Sequence, residues 1–351
     1  MAEYFSEGYG VQHINPEGYG VQHINQQKAI AYFKKSYEAG YPVAGYDVAA
    51  SLPDGSPEQD EIRNHAKDNI LELANEGDAC AQNNLGAMYY YGHGVEQSYE
   101  KATEWYLKAA DQGLADAQCN LGLMYEYGTG VEQSYEKAVE WYQKAADQGL
   151  ASAQCNLGNM YEYGCVYGYG RDVERSDLIA AMWYGKAAEQ GYARAQYNLG
   201  WMYRNGRGVR RSDKKAAKWY HKAAEQGDEL AQYHLGLMYE YGDGVEPSDE
   251  KAREWWQKAA EQGLADAQCN LGAMYENGFG VAQSYEKAVE WYRKAAEQGL
   301  ARAQYNLGCM YENGTGVAQS YEKAVEWYQK AADQGFEDAM VAFNRLIFFS
   351  W

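Results

Sequence analysis

The sequence predicts an all-α fold, a right-handed α-solenoid of stacked helix-turn-helix repeats. The block Ala-Gln-x-Asn-Leu-Gly-x-Met-Tyr begins at Ala81, Ala117, Ala153, Ala195, Ala231, Ala267 and Ala303, with His234 at one Asn position. Five of the six steps between blocks are 36 residues long, and the step from Ala153 to Ala195 is 42. A fixed period of this length indicates supersecondary units that bury their apolar faces against their neighbours.

The first helix of a repeat is predicted from apolar residues at i, i+4, i+7 and i+8, which are Ala117, Leu121, Met124 and Tyr125 in the second block. Gly128 and Gly130 are expected to end this helix, because glycine readily adopts the left-handed conformation of a C-cap. Gly122 lies inside the helix, where glycine costs about 1 kcal/mol relative to alanine. Its recurrence in every block predicts a close crossing with the second helix.

The second helix is predicted from about Tyr135 to Gln148, with Ser134 as its N-cap. Its buried face is expected to consist of Ala138, Trp141, Tyr142 and Ala145. Its solvent-facing stripe is expected to consist of Glu136, Glu140, Gln143 and Asp147. Each repeat is therefore predicted to be an antiparallel helical hairpin.

The chain is predicted to divide into three parts. Residues 1–80 are degenerate N-terminal repeats, residues 81–338 are seven repeats, and residues 339–351 are a C-terminal capping helix. Within the first part, the loop segment 8–15 is duplicated at 18–25, and residues 28–40 are predicted to form a second helix. The 42-residue step from Ala153 to Ala195 contains six additional residues within 165–177. They are interpreted either as a recognition loop or as an insertion without function that the fold tolerates. The apolar end, 343–351, either folds back onto the last repeat or contacts a second copy or a partner.

Composition excludes several classes of protein. The net charge of -19 argues against a nucleic-acid binder held by phosphate contacts. We find no apolar run long enough for a membrane span and no secretory signal, which predicts a cytoplasmic protein, although signal-independent secretion stays open. Cys119, Cys155 and Cys269 occupy equivalent repeat positions, about 9 Å apart on neighbouring helices. This is too far for a disulfide, so free thiols are predicted.

The repeat resembles that of the Sel-1-like family, a relative of tetratricopeptide arrays. Three motifs carry the resemblance: Ala117–Tyr125, Gly-x-Gly-Val at 128–131, and Lys-Ala-x-x-Trp-Tyr-x-Lys-Ala-Ala-x-Gln-Gly at 137–149. The resemblance implies a non-enzymatic scaffold or adaptor for protein complexes. A cysteine-rich branch of the family is linked to β-lactams, which leaves a β-lactamase-like hydrolase as the alternative. This chain lacks that branch's paired cysteines.

Positions that vary between repeats are candidates for partner binding. On the first helix these are the positions equivalent to 119, 123 and 126, which we expect to lie opposite the buried stripe and to line the concave face. The predicted contact residues for a protein or peptide are Tyr197, Trp201, Arg204, Tyr233, Leu237 and Tyr305. Tyr, Trp and Arg are the types enriched among binding hot spots.

A second candidate is a basic patch in the fourth repeat. Nine basic residues and one acid lie between Arg194 and Lys222, a balance of 9 − 1 = +8. The patch comprises Arg207, Arg210, Arg211, Lys214, Lys215 and Lys218, and it would suit an acidic peptide segment, a phosphate, RNA or the acidic repeats of a second copy. The alternative is a solvated face that balances its acidic neighbours.

The sequence predicts no catalytic residues, cofactor or metal. The six histidines are scattered without metal-ligand spacing, and no nucleotide-binding loop or nucleophile elbow is present. Acidic residues recur in register, which is typical of repeated solvent faces rather than of one catalytic pair.

Overall fold

The computed structural model describes residues 57–164 and 174–349, in which all regular secondary structure is helical. The predicted N-terminal helix at 28–40, the duplicated loop at 8–25 and most of the insertion, at 165–173, lie outside the described residues. The chain forms two compact units, residues 1–211 and 212–351, which are described separately.

The described part of the first unit contains α1 (Pro57–Glu76), α2 (Ala79–Tyr91), α3 (Tyr99–Asp111), α4 (Ala115–Tyr127), α5 (Tyr135–Asp147), α6 (Ala151–Tyr163), α7 (Asp177–Glu189) and α8 (Ala193–Asn205). That of the second contains α9 (Asp213–Glu225), α10 (Glu229–Tyr241), α11 (Asp249–Glu261), α12 (Ala265–Asn277), α13 (Tyr285–Glu297), α14 (Ala301–Asn313), α15 (Tyr321–Asp333) and α16 (Glu337–Phe349). Within each unit every helix packs against the next one in the chain, which confirms the all-α solenoid of helical hairpins.

Local sequence sets the helix ends as predicted. The Ser134 hydroxyl caps α5 by accepting a hydrogen bond from the Lys137 amide at 3.3 Å. The same serine precedes each second helix, at Ser98, Ser134, Ser176, Ser212, Ser248, Ser284 and Ser320. Gly128 ends α4 in the left-handed conformation with φ of 67°.

The two helices of a hairpin cross at the internal glycine, as the sequence predicts. A Cβ atom placed on Gly272 would lie 2.7 Å from the Tyr292 ring, closer than real Cβ contacts come. Equivalent close approaches join Gly86 to Tyr106, Gly122 to Tyr142, Gly158 to Tyr184, Gly236 to Trp256 and Gly308 to Tyr328. The glycine is therefore required by the ring that packs against it.

Glutamine side chains connect successive repeats inside the core. Gln118 Nε2 donates to the Ala110 carbonyl of the preceding second helix at 3.2 Å. Its Oε1 accepts from Gln148 Nε2, at the end of its own repeat, at 2.8 Å. The Gln118 side chain thus connects three helices through hydrogen bonds. Its amide needs these partners because buried polar groups are removed from water. This explains why both the Ala-Gln and the Gln-Gly dipeptides recur.

The last described helix, α16, packs against α15. Ala339 and Ala342 are buried, and Phe343 and Leu346 pack against the apolar core of the last repeats. The fold-back alternative therefore holds for Phe343 and Leu346, while Val341 on the opposite face is 70% exposed.

Candidate functional site

The first helices are covered on more sides than the sequence suggests, so the prediction for the position equivalent to 119 is wrong for most repeats. Cys119, Cys155 and Cys269 are buried, with exposed fractions of 6%, 2% and 1%. The reason is that, within each unit, first helices of successive repeats also contact one another. Asn120 Nδ2 donates to Asn83 Oδ1 at 3.0 Å, and Asn156 Nδ2 donates to Cys119 Sγ at 3.8 Å.

The open strip of the first helices runs instead through the positions equivalent to 123 and 127. Tyr127, Tyr163 and Tyr241 are 66%, 69% and 68% exposed. Leu123 and Leu237 are half-buried on the same helix face, four residues earlier. Sequence reasoning missed these tyrosines. A tyrosine directly before the C-cap glycine was the signal, because the last residue of an amphipathic helix has no following turn to cover it.

We define the first-helix strip by these two positions, separately in each unit. In the first unit it consists of Leu123, Tyr127, Asn159, Tyr163, Trp201 and Asn205. In the second unit it consists of Leu237, Tyr241, Ala273, Asn277, Cys309 and Asn313. The residue types change from repeat to repeat, while the packed positions around them are nearly constant.

The recurring glutamates at the position equivalent to 126 are not a solvent face, which corrects the sequence interpretation. Tyr142 donates its hydroxyl hydrogen to Glu126 Oε2 at 2.5 Å, and Tyr292 and Tyr328 donate to Glu276 and Glu312 at 2.6 and 2.7 Å. Burial raises the pKa of Glu126, against the opposing effect of the Tyr142 hydrogen bond. Burial likewise raises the pKa of Tyr142. These pairs fasten the two helices of a hairpin to one another.

The fifth repeat departs from this pairing. Trp256 stands where the other second helices have tyrosine, and its Nε1 donates to the Tyr233 carbonyl at 3.0 Å. The indole cannot donate to Glu240 as well, because it carries a single N–H. Glu240 is consequently exposed, unlike Glu126 and Glu276.

In the first unit, the predicted contact residues Tyr197, Trp201 and Arg204 are half-buried on α8. The Arg207 guanidinium lies 5.0 Å from the centre of the Trp201 ring, within the range of a cation–π contact. The Arg207 side chain therefore restricts the Trp201 ring before any partner binds. This lowers the conformational entropy that the Trp201 side chain loses on binding.

In the second unit, the predicted contact residues Tyr233, Leu237 and Tyr305 are partly buried against the core. The Tyr305 ring lies 5.6 Å from Tyr328 and 5.4 Å from Phe336. These three side chains have packing roles, and their role in partner binding stays a prediction.

The basic patch loses one predicted member. Arg207 Nη2 and Nε contact the Asp177 carboxylate at 2.5 and 2.9 Å, and Nη1 lies 3.4 Å from Glu162. The Arg207 hydrogen bonds lower the pKa of Asp177 to about 2. Because its charge is neutralised within the first unit, Arg207 is a structural link rather than an open docking group.

The other predicted members of the patch are exposed. Arg210 and Arg211 follow α8 in the first unit, and Lys214, Lys215 and Lys218 lie on α9 in the second. Lys214 and Lys218 line an open cleft of about 310 Å³ between α9, α10 and the loop after α10.

The described residues contain no cluster of three His, Cys, Asp or Glu side chains that could hold a metal ion. Cys80, Cys119, Cys155, Cys269 and Cys309 are free thiols. Burial raises the pKa of Cys119 to about 12. Within 57–164 and 174–349, no helix has both the length and the apolar character needed to cross a bilayer.

The comparisons with known proteins agree with this architecture. The sequence profile of the Sel1 repeat family matches residues 17–41, 81–114, 115–150, 151–192, 193–228, 230–264, 265–300 and 301–336. None of the curated proteins compared with the chain matches it.

Two solved structures are similar over nearly the whole chain. One is c5321, described as a protective antigen of uropathogenic Escherichia coli strains with an SLR fold. The two sequences are 39% identical, and the match covers 91% of this chain and 67% of c5321, with a TM-score of 0.73. The other is a Sel1 repeat protein from Oxalobacter formigenes, 34% identical over 92% of both chains, with a TM-score of 0.64. With most of its length matched by the repeat profile, the chain belongs to the Sel1 repeat family.

Proposed function

We propose that this protein is a non-enzymatic scaffold that binds a protein or peptide partner on the face formed by its first helices, the face that the sequence predicts to be concave. The observation that carries the proposal is the contrast between the first-helix strip and its surroundings. Packed residues such as Leu121 and Met124 repeat almost unchanged, whereas the open positions range from Ala273 to Trp201. A constant frame with a variable surface is typical of repeat proteins that recognise other proteins.

Exposed tyrosines support the same proposal. Tyr127, Tyr163 and Tyr241 present large amphipathic rings at low entropic cost, since a tyrosine has only two side-chain torsions to fix. The free thiols support a reducing, cytoplasmic location as part of this proposal. The β-lactamase-like alternative has no observation in its favour among the described residues.

The test compares aromatic-to-alanine substitutions inside and outside the first-helix strip. A partner is first captured by the full chain and identified, and its affinity is then measured by calorimetry for Trp201→Ala, Tyr241→Ala and the control Tyr321→Ala. Tyr321 is 54% exposed but lies at the start of a second helix, away from the strip. We expect an affinity loss of about ten-fold or more for a strip residue, or roughly 1.4 kcal/mol, and little change for the control.

Circular dichroism of each variant establishes that the repeats remain folded. Equal affinities for the wild type, both strip variants and the control would show that the first helices do not carry recognition.

A further inference from the structure

An open cleft lies beside the second helix of the fourth repeat. It is lined by Lys214, Lys218, His221 and Lys222 of α9 on one side, and its floor and far side include Leu235 and Tyr239 of α10 and Val245 of the following loop. We propose that this cleft binds an acidic helical segment of a partner protein, with carboxylates on the lysines and an apolar side chain in the cleft. The inference rests on the proposed scaffold function and extends it to a second surface with defined chemistry.

The charge of this face is reversed relative to most other repeats. Lys214 and Lys218 occupy the positions that hold Glu136 and Glu140 in the second repeat. The same glutamate pair recurs at Glu100 and Glu104, Glu250 and Glu254, Glu286 and Glu290, and Glu322 and Glu326. Two acids have therefore become two bases at equivalent places on the same helical frame, a change of four charge units that helix packing does not require.

A smaller side chain than in several other repeats lines the cleft. Ala217 occupies the position of Val139, Val289 and Val325 in other repeats. Val289 is 3% exposed and is part of the core of its hairpin. Replacing valine by alanine removes two methyl groups, and Ala217 lines the open volume of about 310 Å³. Space for an apolar side chain thus occurs at the same place as the reversed charges.

Lys214 and Lys218 are exposed on α9. No ion pair of the described residues involves Lys214 or Lys218, whereas Glu225 of the same helix lies 3.4 Å from His221 Nδ1. The Lys222 ammonium lies over the Trp219 ring at 4.6 Å, which leaves it near the mouth of the cleft. Like charges spaced four apart on a helix repel one another, so a bound anion would relieve a repulsion that the free protein carries.

The arrangement favours a helical acidic segment over a phosphate group or a nucleic acid. Lys214, Lys218 and Lys222 are spaced at i, i+4 and i+8 and span about 12 Å along α9, so they form a row rather than converging on one point. Glutamates at the same spacing on a partner helix form a matching row. The apolar lining of Ala217, Leu235 and Val245 suits a hydrocarbon side chain, and the chain's net charge of -19 opposes long polyanions.

The experiment measures binding of a defined probe to the full chain by fluorescence anisotropy. The probe is a labelled, alanine-based helical peptide with glutamates at i, i+4 and i+8 and leucines at i+3 and i+7, and its counterpart carries glutamine in place of glutamate. We expect the glutamate peptide to bind, and its affinity to fall by about ten-fold or more in Lys214→Glu/Lys218→Glu. We expect that variant to fold, because five other repeats hold a glutamate pair at these positions.

Two further variants separate charge from shape. Ala217→Val fills the cleft without changing charge and is expected to weaken binding several-fold. Lys287→Glu/Lys323→Glu makes the same change of charge on second helices outside the cleft and is expected to change the affinity by less than about two-fold, because exposed charges at such distances are screened.

Several results would overturn the assignment. One is equal binding of the glutamate and glutamine peptides, or of the wild type and the Lys214→Glu/Lys218→Glu variant. Displacement of the peptide by millimolar inorganic phosphate would indicate a phosphate site, and tighter binding of single-stranded RNA a nucleic-acid site. A dimer in sedimentation velocity that is lost in the double variant would identify a second copy as the occupant.

The scaffold proposal is tested separately by the captured natural partner. If that partner loses affinity in Trp201→Ala but not in Lys214→Glu/Lys218→Glu, the first-helix strip stands and the cleft assignment fails. Loss in the double variant alone supports the cleft and removes the strip.

Discussion

Two glycines in one hairpin offer a direct test of why glycine recurs inside the first helices. Gly158 lies within α6, where an added Cβ would come 2.5 Å from Cδ1 of Tyr184. Gly185 lies within α7 of the same hairpin, where an added Cβ would meet nothing within 4 Å. Both positions are helical, so Gly158→Ala and Gly185→Ala make the same chemical change with opposite steric consequences.

The structure sets the sign and size of each effect. At Gly185 the substitution should stabilise the protein by about 1 kcal/mol, which is the helix preference of alanine over glycine. At Gly158 the same gain is opposed by overpacking of about 1–3 kcal/mol or more. The upper part of that range applies, because the Tyr184 ring is fully buried and its hydroxyl is held by Glu162 and Asn159, both at 2.7 Å. We therefore expect a net loss of roughly 1–2 kcal/mol.

The measurement is urea-induced unfolding of the full chain, followed by circular dichroism, with native-state hydrogen exchange of α6 and α7 as a local readout. The local readout is needed because long repeat arrays can unfold in more than one step. The expected result is slower exchange in Gly185→Ala and faster exchange in Gly158→Ala. Stabilisation by both substitutions would show that the close crossing with Tyr184 does not explain the glycine.

Two other predictions follow from ionisation. Asp177→Asn should destabilise the first unit by about 1 kcal/mol at pH 7, since a partly solvated ion pair with Arg207 is screened. The Arg207 hydrogen bonds lower the pKa of Asp177 from 3.8 to about 2. This contribution is therefore complete above about pH 5 and is lost as the pH falls towards 2. A difference in urea midpoint between wild type and variant that does not shrink in acid would contradict it. Cys119 should resist alkylation in the native protein, because burial raises its pKa to about 12, while the exposed Cys80 reacts. Peptide mapping after brief labelling at pH 8 checks this, and equal labelling of the two thiols would show that Cys119 is accessible.

The repeat architecture could be predicted from sequence because its signals are local. Ser134 caps a helix through the amide three residues later, and Gly128 adopts a left-handed conformation directly after the helix. Neither interaction depends on distant parts of the chain. The close contact at Gly122 was also predictable, since a costly residue that recurs in every repeat indicates a steric requirement.

The candidate site could be predicted only in part. The position of Cys119 looks open on a single helix, yet the first helix of the next repeat covers it through Asn156. Glu126 looks like a surface acid, yet the Tyr142 hydroxyl, sixteen residues later in the chain, donates to it. Helical periodicity describes one helix and its main apolar stripe. It contains no information about other helices that pack against the remaining faces of that helix.

The sequence by itself determined the helices, their ends, their pairing into hairpins and the family, because these depend on spacing along the chain and on repetition. Only the tertiary structure decided which side chains remain available to a partner. It paired Arg207 with Asp177, left Tyr127 exposed and placed an open cleft beside Ala217. The physical reason is that accessibility depends on every helix packed around a residue, and such neighbours are brought together by folding rather than by position in the chain.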